Sequence, residues 1–287
     1  MQQHSVFRNF SSLLRWSVFT VFLGRAWQHL YWDAPYRSLL WDESLMSPII
    51  EFLSGLTWET YVTSPVTEQN IILLIRITGI LYLIIAGFSL WAKTDKLYFR
   101  ILLWAGFINL VILALLYCKE RFYSIGQFFE YSLQFGSPLF LLCWFRIEKG
   151  KTSSALLIFW MKIAIALTFT CHGLYAIGYY SRPIGFMEMT MNILHVDEPT
   201  AIQFLQLAGI LDFIVSIGIF MPYKWSKYFL SYTVCWGFLT ALARIWANFD
   251  LEWLDYVMMQ WLHETIYRFP HFLIPASVLL YTRKPRF

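Results

Sequence analysis

Apolar stretches alternate along the chain with short segments that carry most of its charged residues. A helix needs about 20 apolar residues to cross a bilayer, so each stretch of that length predicts a membrane-spanning helix. Eight such helices are predicted, at residues 16–32, 70–92, 98–117, 124–145, 155–180, 200–221, 226–247 and 259–282. The predicted fold class is therefore an all-α polytopic integral membrane protein.

The second half of the chain repeats the first, with polar residues in matching places. The matching segments are Phe128–Phe135 with Leu262–Phe269, and Ile77–Tyr82 with Leu207–Asp212. Duplication of an ancestral four-helix unit explains the match and divides the chain into residues 1–150, with a long outer loop at 33–69, and residues 151–287. Four is an even number, so both copies enter the membrane in the same direction. We expect two parallel four-helix bundles related by rotation about the membrane normal.

The composition excludes a soluble domain. Apolar residues make up 58% of the chain, aromatic residues 20% and charged residues only 14%, and no single core could bury so much apolar surface. The lipid bilayer is the expected partner. The modest positive charge is explained by membrane anchoring, so nucleic acid is not expected as a partner.

The charges of the short connections are divided between two sides. The basic side carries Arg8, Arg15, Lys93, Lys96, Arg100, Arg146, Lys149, Lys151, Lys224, Lys227, Arg283, Lys284 and Arg286. The other side carries Asp33, Asp42, Glu43, Glu51, Glu59, Glu68, Asp197, Glu198, Asp250, Glu252 and Asp255. The positive-inside rule then predicts cytoplasmic N- and C-termini, in a protein of the bacterial inner (plasma) membrane.

Each half has a connection after its first helix on the acidic side. Residues 36–53 mix apolar and charged positions at the spacing of a helix that lies in the membrane interface, and residues 183–199 form the shorter, Met-rich counterpart. Two interpretations remain open for these segments. They either cap the helix bundle or form a surface on which a membrane or extracytoplasmic protein subunit docks.

Nine ionisable side chains lie inside the predicted spans, and the topology places nearly all of them in the outer half of the bilayer. They are Arg25, Arg76, Glu130, His172, Asp212, Arg244, Glu264, Arg268 and His271. Each costs about 2.5 kcal/mol or more at a helix centre unless it finds a partner or a watery cavity. Their shared depth predicts a ligand-binding site. The alternative is that arginines and carboxylates neutralise one another and only hold helices together.

Glu264, Arg268 and His271 follow the spacing i, i+4, i+7, which places them in one stripe of the last helix. Pro270 is expected to bend that helix. The matching stripe in the first half is Glu130, Gln134 and Ser137. The interior of both halves should therefore be lined by this pair of stripes.

The histidines do not predict a metal site. His263 and His271 lie two helical turns apart, about 12 Å along the axis, and cannot hold one ion together. A set of His172, Asp212 and His271 across helices is the weaker alternative. The sequence also has no Gly-rich phosphate loop and no Cys-x-x-Cys pair, so neither its reaction nor its cofactor is apparent from a motif.

Two segments of the second half resemble a known family. Phe169-Thr170-Cys171-His172-Gly173-Leu174, followed by the stretch from Leu207 to Gly218, is similar to the DoxX/DoxD four-helix membrane proteins. Asp212 stands where that family usually has a glutamate, and the first half has Tyr82 there. The vitamin K-carboxylase-like HTTM membrane domain is a weaker resemblance.

The resemblance implies a helical bundle and, for some members, quinone-linked oxidation of sulfur or thiols. On that basis we expect a membrane subunit that supports redox chemistry at the outer face, with quinone as a candidate cofactor whose carbonyls would need donors such as His172, Arg76 or His271. A transporter or permeation path for protons or a small anion is the first alternative. A structural subunit that docks an extracytoplasmic partner is the second. Whether the protein is an enzyme stays open.

Overall fold

The computed structural model describes residues 2–91, 96–150 and 153–282, and the predicted charges at Lys93, Lys151, Arg283, Lys284 and Arg286 lie outside these ranges. The described residues are helical and contain no strand. In the first half the helices are α1 (Gln2–Tyr31), α2 (Arg37–Leu40), α3 (Glu43–Ser54), α4 (Trp58–Thr63), α5 (Pro65–Trp91), α6 (Leu97–Glu120), α7 (Ile125–Glu130) and α8 (Ser132–Glu148). In the second they are α9 (Ser154–Ile177), α10 (Ile184–Leu194), α11 (Glu198–Gly218), α12 (Tyr223–Ala247), α13 (Leu254–Ile266) and α14 (Pro270–Thr282). The predicted all-α class is confirmed.

Five helices among the described residues are long and apolar enough to cross a membrane. They are α5, α6, α9, α11 and α12. Large apolar side chains on these helices are exposed, including Ile77 and Leu207, because lipid rather than protein is the solvent for them. Five of the eight predicted spans thus coincide with helices of membrane-crossing length, and the chain is an integral membrane protein.

The predicted helices at residues 124–145 and 259–282 are each divided into two. The first is interrupted at Tyr131, between α7 and α8, and the second between Ile266 and Pro270, where α13 ends and α14 begins. Proline favours the first turn of a helix because it has no N–H to donate, so α14 starts at Pro270. The backbone N–H of Tyr131 bonds only three residues back, to the carbonyl of Phe128. Both breaks lie among buried residues, since Ser132 follows the first break and Tyr267 lies in the second.

The helices pack in a regular order. Helix α1 lies along α5, and α9 lies along α11. The last helix of each half packs on the first helix of the other half: α14 packs on α1, and α8 packs on α9. Helices α13 and α7 also pack on the first helix of the other half, α13 on α1 and α7 on α9. Residues from the two ends of the chain therefore meet in the centre of the bundle.

Glycines allow the closest of these approaches. A Cβ at Gly79 would lie 3.0 Å from the Cβ of His29 on α1, and one at Gly209 would lie 2.9 Å from the carbonyl oxygen of Gly173 on α9. Gly79 and Gly209 lie at the same place in the two matching segments, and a duplicated unit would bring each to a close helix contact of this kind. It would also place Gly106 and Gly237 at equivalent contacts, but Gly106 faces side chains of α1 and α5, whereas Gly237 faces the α14 backbone.

The connection between α1 and α5 forms α2, α3 and α4, and that between α9 and α11 forms α10. Helix α3 is capped by Asp42, whose carboxylate accepts the N–H of Leu45, and ends at Gly55, which adopts the left-handed conformation with φ 68°. Phe52 and Leu53 on α3 are largely exposed. The helix predicted at residues 36–53 is thus present, in two pieces, with apolar residues facing away from the bundle.

Asp42 also forms an ion pair with Lys119 of α6. That ammonium group, helped by the hydroxyl of Ser44, lowers the Asp42 pKa from 3.8 to about 2. Because the carboxyl pKa is lower in the folded protein, the ion pair stabilises above pH 3.8 and is lost as the pH falls through about 2. We expect acidification to loosen α3 from α6, measured as a longer distance between spin labels on the two helices.

Asp42→Asn isolates the ion pair, because asparagine still caps α3. The variant should show the longer distance already at neutral pH and no further change in acid. Glu51→Gln, an exposed substitution on the same helix, should behave as wild type. A wild-type distance that stays constant to about pH 2 would show that the pair does not hold α3.

Candidate functional site

A histidine–carboxylate pair lies between α9 and α11. Nδ1 of His172 and Oδ2 of Asp212 are 2.7 Å apart, and Asp212 is fully buried. The close approach of Gly173 to Gly209 brings the two helices together near this pair. This hydrogen bond places the imidazole and the carboxyl group so that a proton can pass between them.

A small cavity adjoins the pair. Its volume is about 30 Å³, and its lining comes from α7, α9, α12 and α14. The lining residues are Glu130, Thr168, Phe169, His172, Trp236, Gly237, Thr240 and His271. A water molecule needs roughly 10–15 Å³ of volume open to its centre, so the space suits one or two waters or a single small ion.

Polar atoms around this cavity lack partners. Oγ1 of Thr168, Nε1 of Trp236 and Nε2 of His271 are buried and make no hydrogen bond with any residue in the described ranges. The same holds for Oδ1 of Asp212. The indole of Trp236 is close enough to Asp212 to interact with it, but the contact falls short of hydrogen-bond geometry. Buried polar groups are almost always satisfied, so these atoms indicate a place for a polar ligand or water.

The cavity does not accommodate a quinone. A six-membered ring with two carbonyl oxygens is much larger than the one or two waters that fit here. A second space of about 360 Å³ lies between α1, α13 and α14 and is lined by residues such as Phe19, Leu23 and Phe272. Thr20 is the polar residue of that lining, and its hydroxyl already donates to main-chain carbonyls of α1. The indole N–H of Trp16, which also lines this space, is left as a side-chain donor for the two carbonyls of a quinone.

Glu264 is the centre of a second cluster. Its Oε2 accepts hydrogen bonds from Nε of Arg244 at 2.9 Å and from Nη1 of Arg268 at 3.1 Å. Arg244 also donates to the carbonyl of Thr240 at 3.1 Å. One carboxylate thus links α12 to α13 and neutralises part of the charge of two arginines. This geometry agrees with the alternative in which the arginines and carboxylates neutralise one another and hold helices together.

Arg25 is enclosed in the bundle centre with an exposed fraction of 1%. Its guanidinium donates to Oε1 of Gln134 at 2.6 and 3.2 Å and to Oε1 of Gln28 at 2.7 Å. It also lies 3.9 Å from the ring centroid of Tyr267 and 5.2 Å from that of Tyr131. The cation is held by neutral amides and aromatic faces.

Tyr82, the counterpart of Asp212, belongs to a polar cluster in the first half whose other members the sequence did not single out. Tyr82 donates a short hydrogen bond to Asn109, and Tyr36 donates to the same amide oxygen at 3.4 Å. The rings of His29 and Tyr82 meet edge to face at 5.0 Å. Asn109 is a neutral polar residue inside an apolar stretch, which is a signal that could have identified this cluster.

The ionisable residues predicted to form one ligand-binding site are therefore divided between separate groups. Glu130, His172 and His271 line the cavity with Asp212 beside it, whereas Arg244, Glu264 and Arg268 form the ion-pair cluster. The single stripe of Glu264, Arg268 and His271 is interrupted, because the last helix breaks before Pro270. In the matching stripe, Gln134 reaches Arg25, and Ser137 bonds Ser17 at 2.7 Å. Arg76 is exposed on α5 and belongs to neither cluster.

Within residues 2–91, 96–150 and 153–282, no three His, Cys, Asp or Glu side chains are grouped so as to hold a metal ion. Comparison with protein-family models, curated proteins and solved structures finds no match to this chain. Its function must therefore be inferred from the geometry of the cavity and the two clusters.

Proposed function

We propose that this integral membrane protein exchanges protons at the buried His172–Asp212 pair, in support of redox chemistry at the outer face of the membrane. The observation that carries the proposal is the position of the pair beside a cavity lined by unpaired polar atoms. Imidazole is the side chain whose charge changes most readily near neutral pH. A cavity that holds water gives the proton a path to and from the pair.

We also propose that eight segments cross the membrane as two related halves, residues 1–150 and 151–287, with both termini cytoplasmic. The pairing of α1 with α5 and of α9 with α11 supports this arrangement, as does the exchange of the last helices between the halves. The broken pairs α7–α8 and α13–α14 supply the fourth segment of each half. The resemblance to DoxX-like proteins and a location in the bacterial inner membrane belong to the same proposal.

The small cavity limits the role of the site in redox chemistry. Because a quinone ring is too large for it, the pair would supply or accept the protons of a reaction whose electrons pass through another molecule. Glu130 lines the same cavity and bonds the amide of Gln127 at 3.2 Å. It is a second carboxyl group at the edge of the site.

Permeation of protons or a small anion is the second candidate function. The observation that favours it is the pair of arginines, Arg244 and Arg268, which share one carboxylate and stay partly accessible. Such cations could compensate for an anion that passes the membrane. This function also uses the His172–Asp212 pair, but it requires flux across the bilayer.

Infrared difference spectra between about pH 5 and about pH 8 test proton exchange directly. We expect imidazole and carboxyl bands in the wild-type protein and their loss in Asp212→Asn. Asp255→Asn, an exposed substitution near the start of α13, should keep them. Spectra of Asp212→Asn that match the wild type would refute the proposal. Proton flux in liposomes then separates the two functions, since only permeation predicts flux.

A further inference from the structure

The unpaired atoms around the cavity include hydrogen-bond donors. The indole N–H of Trp236 can only donate, and the Thr168 hydroxyl donates or accepts. Nε2 of His271 donates when the ring is protonated there. Each of these atoms is buried and makes no hydrogen bond among the described residues, although the indole of Trp236 also lies near Asp212. Donors that converge on a space of about 30 Å³ are suited to a single acceptor of small size.

The charged residues around the cavity set a second condition for the binding of such an acceptor. Three arginines and three carboxylates lie in and beside it, and their formal charges balance. They are Arg25, Arg244, Arg268, Glu130, Glu264 and Asp212. A proton that binds His172 adds one positive charge to this balanced set. In a medium of low dielectric an uncompensated charge is costly, so a second binding event that restores neutrality is favoured.

We propose that protonation of His172 is coupled to the binding of one small monovalent anion, of the size of chloride, in this cavity. The inference rests on the proposed proton exchange and names the ligand that accompanies the proton. Trp236 and Thr168 would donate to the anion, and His271 would face it. Coupling keeps the buried cluster neutral in both states.

The groups that face His172 explain why the anion needs the proton. Asp212 on α11 and Glu130 on α7 are carboxylates, Arg244 on α12 is a cation, and His271 on α14 is the remaining titratable group. Glu130 lines the cavity and repels an anion. A proton on His172 cancels one unit of the negative charge that these groups present, so the anion should bind in acid and leave at higher pH.

The first half offers a useful contrast. Tyr82 stands at the position that the repeat aligns with Asp212, and its hydroxyl is bonded to Asn109. His29 there is bonded through Nδ1 to the carbonyl of Arg25 at 2.7 Å. Because the chain's own groups satisfy that cluster, the expected stoichiometry is one anion per chain.

Binding of radioactive chloride to the detergent-solubilised protein tests the inference, with sodium gluconate used to match ionic strength. We expect one chloride per chain at about pH 5 and loss of binding at about pH 8. Trp236→Phe and Thr168→Val should each weaken binding at least tenfold, which corresponds to about 1.4 kcal/mol. Trp236→His restores an N–H donor and should recover part of the affinity.

Trp246→Phe is the matched control, because Trp246 lies on the same helix and is exposed. It should bind chloride as the wild type does. No saturable chloride binding, or equal binding by Trp236→Phe, would show that the cavity holds only water. If the infrared proton signal persists while chloride has no effect, the anion inference fails and proton exchange stands. If the proton signal itself is absent, the proposed function fails first.

Discussion

Replacing Glu264 by glutamine is expected to destabilise the folded protein by about 3 kcal/mol, the lower end of the cost of breaking a buried ion pair. Glu264 accepts from Arg244 and Arg268 with one oxygen atom, so its loss as an anion removes the carboxylate that both guanidinium groups share. Its side chain is 30% exposed, which reduces the penalty. The melting temperature in detergent should fall by roughly 5 °C or more.

Glu188→Gln removes an exposed carboxylate from α10 and should leave the melting temperature unchanged. Adding Arg244→Gln to Glu264→Gln should recover part of the loss, because one of the uncompensated cations is then removed. A Glu264→Gln protein that melts like the wild type but has lost proton exchange would show that this carboxylate belongs to the functional site. Loss of stability alone would make it a structural link between helices.

Gly237→Ala is expected to cost a similar amount, about 3 kcal/mol, by forcing two helices apart. A Cβ at this position would lie 2.5 Å from the carbonyl oxygen of His271 and 2.8 Å from its carbonyl carbon. Backbone atoms cannot turn aside as a flexible side chain can, so α12 and α14 must separate. The displacement would also widen the cavity that Gly237 lines, and the proton signal of the neighbouring pair should weaken.

Gly87→Ala provides the control, since Gly87 is also inside a long helix but a Cβ there would meet nothing within 4 Å. Alanine is the better helix former by about 1 kcal/mol, so this variant should be as stable as the wild type or more stable. Equal melting temperatures for the two variants would show that α12 and α14 adjust without cost. Thermal melts followed by helical circular dichroism make the comparison.

The positions of the helices followed from the sequence because the bilayer requires long apolar segments wherever the chain crosses it. The breaks within the predicted helices were harder to predict from the sequence. Pro270 predicted a bend in the last helix, and α14 begins there. No proline or glycine lies at Tyr131, and the interruption there depends on packing against α9 and α6, which a local pattern does not contain.

The polar residues of the site could be found because ionisable groups are rare inside membrane helices. The sequence grouped His172 with Asp212 only in the weaker metal-site alternative and did not predict the hydrogen bond between them. His172 and Asp212 are far apart in the sequence and meet only because α9 and α11 approach closely at Gly173 and Gly209. Arg25 was identified, but its neutral and aromatic partners were not, since tyrosine is too common in this chain to be informative.

The breaks in the two short helix pairs have a consequence for how the chain is made. Tyr131 and Tyr267 lie where helices are interrupted, and their rings contact the guanidinium of Arg25. When α1 first emerges from the ribosome, neither ring has been synthesised. Arg25 then has Gln28 of its own helix as a hydrogen-bond partner, gains Gln134 when α8 is made, and meets the ring of Tyr267 only when α13 arrives. Completion of the bundle is thus a late event in biogenesis, in which the first helix gains this contact from nearly the last one.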